Sequence, residues 1–167
     1  MTAKSQTVLL SLVVLLAMVG SATAGTPREV VRFEETNWSL VRTFREVAPE
    51  VARALRSRFG KDDRLANVGE PFDSTDVDFG RPSRRFVLAG REAHRWFVLY
   101  EKGGRGHHLV LVVLDIASGD VRPVMLAHGM AGIHDDVAGW RADLLDIRKA
   151  LETRQLTLVN PGAKDHY

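Results

Sequence analysis

No cysteine occurs anywhere in the chain, which excludes disulfide staples, a thiolate nucleophile, thiolate metal ligands and a lipid-bearing N-terminal cysteine. Also missing are the short motifs that carry much enzyme chemistry: no G-x-S-x-G elbow, no P-loop, no H-E-x-x-H helix and no CxxC pair. A large excess of one charge is absent too, with 23 Lys+Arg against 21 Asp+Glu. The basic pI of about 9.2 therefore reflects a small imbalance and gives no support for a nucleic-acid partner. The one long apolar run, Val8 to Val19, is about a dozen residues and falls short of the ~20 needed to cross a bilayer.

That run has a different use. It follows a polar start whose one cation is Lys4, and it precedes Ala22-Thr23-Ala24, an A-x-A cleavage signature. The order predicts a cleavable export signal over residues 1–24, a single α+β domain over 25–159 and a flexible tail over 160–167 that contains Pro161 and Gly162. Removing the leader takes away Lys4 and no acid, leaving 22 basic against 21 acidic residues. A domain of this size can fold on apolar burial alone, and a cysteine-free exported domain fits a periplasmic or secreted protein with no stable membrane insertion after cleavage.

Residues Glu29 to Phe33 alternate weakly and predict a short edge strand or extended arm. Leu40, Val41, Phe44, Val47 and Ala48 recur at helical steps and predict a helix from about Ser39 to Val47. Pro49 interrupts it and suits the first turn of a second helix, Pro49 to Phe59, stopped by Gly60. That helix points Val51, Ala52, Leu55 and Phe59 inward and leaves Arg53, Arg56 and Arg58 on a solvated face. Lys61 to Pro82 reads as a loop, and its Asp73–Asp78 run lacks the glycine and distal acid of a calcium loop.

From Ser83 to His128 four apolar runs separated by short turns predict an antiparallel meander: Arg85–Ala89, Arg95–Glu101, His107–Asp115 and Val121–Ala127. Both alternating sets of the third run are aliphatic, so that strand is central and covered on both faces. Pro123 marks an edge or a bulge in the fourth. Asp135 or Asp136 can cap a final helix through Val137, Trp140, Leu144, Ile147 and Leu151. The predicted fold is a two-layer α+β domain, a four-stranded antiparallel meander packed against two N-terminal helices and one C-terminal helix.

Two groups of residues are candidates for function. In Lys102-Gly103-Gly104-Arg105-Gly106-His107-His108, glycines can expose backbone N–H groups while Lys102, Arg105, His107 and His108 add positive charge, which together suit a carboxylate or phosphate. His128, His134 and Asp135 flank a glycine-containing loop and form a conceivable metal-ligand set, although their spacing matches no standard pattern. No cofactor is implied. The expected function is a non-catalytic binding or interaction module for a protein or small anionic partner. The alternative is a small hydrolase or isomerase with an acid–base pair drawn from His108, His128, His134 and Asp135.

Overall fold

A computed structural model of the chain describes residues 38–60, 62, 64–75, 80–104, 106–117, 119–130 and 144–161. The predicted leader, the arm at Glu29–Phe33, the Asp135/Asp136 cap with Val137 and Trp140, and the end of the tail lie outside the described residues.

Among the described residues six antiparallel strands form one sheet whose spatial order is the order in sequence. They are β1 (Ser39–Val41), β2 (Arg84–Glu92), β3 (Arg95–Lys102), β4 (His108–Ala117), β5 (Asp120–Met130) and β6 (Thr157–Val159). Among the described residues two α-helices accompany them, α1 (Pro49–Arg58) and α2 (Leu144–Glu152). The expected four-stranded meander with two N-terminal helices is thus corrected at both ends: the sheet gains a strand on each side, and one N-terminal helix is present.

The first error has a physical cause. Ser39–Val41 pairs with β2 as an edge strand, Leu40 opposite Gly90 and Val41 opposite Ala89. The apparent helical spacing continued only because a single 3-10 turn, Phe44–Glu46, follows and buries Phe44. Three edge residues cannot establish an alternation that outweighs a longer i, i+3, i+4 coincidence. The site is fixed by packing: a Cβ on Gly90 would lie 2.4 Å from the Phe97 ring, and Trp38 meets that ring edge-on at 5.0 Å. At the other end Thr157–Val159, expected to precede a free tail, pairs with Leu126–His128 of β5.

The helices lie on opposite faces of the sheet, so the domain has three layers where two were expected. Leu109, Leu111 and Val113 of β4 share a core with Leu144, Ile147 and Ala150 of α2. Val110, Val112 and Leu114 share the other with Val51 and Leu55 of α1. β4 is therefore sandwiched, and each aliphatic side chain it buries contributes about 1.5–3 kcal/mol relative to exposure. Pro49 stands in the first turn of α1, and the chain leaves the helix through Gly60 at φ +73°.

Two bulges set the register. Opposite Leu99–Tyr100 the pairing of β2 slips between Phe86 and Leu88, and opposite Val113–Leu114 that of β5 slips between Pro123 and Met125. The first slip decides which charges meet at the end of β2 and β3.

Candidate functional site

Counting back from the tight Ala93-His94 turn, an unbroken β2–β3 ladder would set Arg85 opposite Lys102. The extra residue at Val87 moves every pair beyond it by one, so Arg85 faces Glu101 and Arg84 faces Lys102. Lys102 in turn faces His108 across β3 and β4, and Glu101 faces Leu109. Because side chains alternate between faces, two rows of polar residues cross the same corner of the sheet on opposite sides.

On the α2 side the row closes its own charges. Glu101, 1 % exposed, accepts a hydrogen bond from Arg85 Nε at 2.6 Å, and His107 Nε2 lies 3.5 Å from its other oxygen. Phe72 roofs the pair: the Arg85 guanidinium stands 4.3 Å from its ring centroid and the His107 ring 5.6 Å. A desolvated carboxylate is tolerated when it is paired in this way.

On the α1 side the row gathers basic side chains. Arg84 and Lys102, 4 % and 9 % exposed, stand opposite one another, His108 follows, and the His128 ring lies 6.3 Å from that of His108, centroid to centroid. Arg84 has a structural duty as well. It donates to the Phe59 carbonyl at 3.3 Å and to the Asp62 carbonyl at 3.0 Å, and covers the Phe59 ring at 4.4 Å, so it caps the end of α1 and pins it to the sheet. His108 Nδ1 is buried and has no hydrogen-bond partner among the described residues.

Asp62 anchors the loop beside this row. Burial pushes its carboxyl up, but hydrogen bonds from the Arg64 side chain, the Ser83 backbone N–H and hydroxyl, and the Arg64 backbone N–H outweigh that and hold it at about 2. The same network fastens Ser83 next to Arg84.

The glycine-rich turn behaves differently from a free, anion-cradling tip. Gly103 N–H donates to Ser83 O at 2.8 Å and Gly104 N–H to Ser74 O at 3.3 Å, and a Cβ on Gly103 would sit 1.9 Å from Asp73 O. These N–H groups fasten the turn to Ser83 and Ser74.

Of the residues singled out from sequence, Lys102, His108 and His128 come together, whereas His107 lies on the opposite face with Glu101. Arg105, His134 and Asp135 lie outside the described residues. Among the described residues no three His, Asp or Glu are placed to share a metal ion. Glu101 carries no signal in the sequence, and what sets Arg84 against Lys102 and Arg85 against Glu101 is the cross-strand register, which requires the bulge at Val87.

Other features sit away from this corner. His94 Nε2 lies 3.3 Å from Asp115, which also accepts from Arg122 at 3.2 Å, at the far end of the sheet. A hollow of about 590 Å³ runs along the outer side of α1 past Arg53 and Arg56, and one of about 530 Å³ lies between Met125, Leu151, Leu156 and Leu158. Neither hollow is lined by Lys102, His108 or His128. Comparison with protein-family models, with curated proteins and with solved structures finds no match to this chain.

Proposed function

We propose that the protein is an exported, non-catalytic binding module that holds an acidic or anionic partner at the corner formed by Arg84, Lys102, His108 and His128. The observation that carries this reading is the register Arg84–Lys102–His108, three basic side chains directly opposite one another on three neighbouring strands. Basic side chains gathered on one face of three adjacent strands suit a carboxylate, sulfate or phosphate group. The hydrolase or isomerase reading drew His108 and His128 as partners of an acid. The rings of His108 and His128 lie 6.3 Å apart, and His134 and Asp135, the other members of that set, lie outside the described residues.

The test is thermal unfolding of the purified protein in sulfate, phosphate and acetate, with chloride at equal ionic strength as the control. An anion at about 100 times its Kd stabilises the native state by about 2.7 kcal/mol. The expected result is a rise in Tm with at least one of these anions beyond the chloride control, reduced in Lys102→Met and in His108→Gln. An equal response to all salts, or an undiminished response in both variants, contradicts the proposal.

A further inference from the structure

Beyond the basic corner, and on the other face of the sheet, we infer that the β6 edge and the end of α2 form a docking site for an extended polypeptide segment. The segment adds to the sheet beside β6 and places a large apolar side chain in the hollow between Met125, Leu151, Leu156 and Leu158.

Val159, Leu158 and Thr157 of β6 face Leu126, Ala127 and His128 of β5, and this pairing engages one side of the strand. Alternate N–H and C=O groups along the other side point away from β5, the arrangement that accepts an added strand. The side chains divide as well. Val159 packs with the core on the α1 side, so Leu158 turns to the α2 side, where it is 48 % exposed. The hollow of about 530 Å³ beside it is lined by Met125 and Leu156 of the α2-side core and by Leu151, Glu152 and Arg154 at the end of α2. Leu145, 45 % exposed and seven residues before Glu152, stands two turns along the same flank of the helix.

Size and charge select the occupant. An edge of three residues is about 10 Å long and offers one pocket. That is too little for the roughly 1,200–2,000 Å² that two folded partners bury in a stable complex, and enough for a single extended segment. At the rim Glu152 is paired with Arg148 at 3.6 Å, whereas Arg154 has no ion pair among the described residues. Arg154 also stands at φ +59°, a left-handed conformation that glycine adopts at lower cost. There it closes the last turn of α2, its N–H donating to Leu151 O at 3.2 Å while Leu156 N–H donates to Ala150 O at 2.9 Å. An arginine in this place keeps strain that glycine would remove, and sets a cation at the mouth of an apolar hollow. Antiparallel addition continues the pattern of the sheet. It puts the apolar residue of the segment opposite Leu158 and the residue two places nearer its C-terminus opposite Leu156, on the same face and toward Arg154. An acidic side chain at that second position completes the match.

The probes are end-blocked synthetic peptides that alternate threonine and valine, with phenylalanine or alanine at one central position and glutamate or lysine two places on. Binding to the purified protein is read by fluorescence anisotropy. The peptide with phenylalanine and glutamate is expected to bind, with a loss of about tenfold or more for alanine and of about two- to fivefold for lysine. N-methylation of one alternating set of peptide amides abolishes binding and that of the other set leaves it, since one set alone bonds to β6. Leu158→Asp removes binding. Arg154→Gly lowers the affinity for the glutamate peptide to that for the lysine peptide while raising Tm, a pair of shifts that a purely structural role for Arg154 would not give. Equal affinity for the phenylalanine and alanine peptides, binding unchanged in Leu158→Asp, or no binding by any peptide overturns the inference. So does concentration-dependent self-association in sedimentation that Leu158→Asp abolishes, which assigns the edge to a second copy. The tests of the basic corner use small anions and the other face of the sheet, so the two readings fail independently.

Discussion

At one corner of the sheet the same strands carry two polar rows, one residue out of step with each other, and the rows solve the problem of buried charge in opposite ways. Toward α2, the Glu101 carboxylate lies between Arg85 and His107 under Phe72. Toward α1, Arg84, Lys102 and His108 are all basic residues. The first row sets a carboxylate between basic groups, whereas the second sets basic side chains side by side. Both follow from one extra residue at Val87, because without that bulge Arg85 would meet Lys102 and the ion pair with Glu101 would not form.

The largest effect is expected where the first row is broken. Glu101→Gln leaves the Arg85 guanidinium, itself mostly buried, without its carboxylate, and equilibrium denaturation should show a loss of about 2–4 kcal/mol. Lys102→Met is the matched change in the other row. There the cross-strand neighbours Arg84 and His108 are both basic, so the cost should be the smaller of the two. Equal losses in the two variants would erase the distinction between the rows.

A smaller effect sharpens the comparison from outside. Asp62 holds Ser83, the residue before Arg84, and its carboxyl lies at about 2 against an ordinary value of 3.8. A carboxyl depressed by folding contributes stability that is present above its unfolded value and is lost as pH falls through its folded one. Since its side chain is about 31 % exposed, screening reduces the contribution to about 1 kcal/mol. Asp62→Asn should therefore unfold about 1 kcal/mol more easily than the wild type at neutral pH, with the gap closing between about pH 4 and about pH 2. A gap unchanged across that window would mean that the loop is held by other contacts.

Much of the interior was legible in the sequence. The Pro49 start and Gly60 stop mark α1, and the doubly aliphatic run of β4 marks a strand covered on both faces. The two short edge strands were hidden because β1 and β6 have three residues each, too few for a period of two to declare itself. That the helices take opposite faces is implicit in β4 having two aliphatic sides, each of which needs a cover. The site was half legible. Lys102 and His108 stand out beside a glycine-rich turn, but Arg84 joins them only through a register that depends on a bulge, and local composition carries little information about bulges. The glycines suggested free N–H groups, which in the fold are used to fasten the turn to Ser83 and Ser74.

Anion binding at the proposed corner can be read directly from histidine side-chain resonances recorded with and without sulfate. His108 and His128 should move on addition of the anion and report one saturation curve, while His94 and His107, each beside a carboxylate of the protein, hold their positions. Movement of His94 or His107 equal to that of His108 and His128, or no movement of any, would contradict the account.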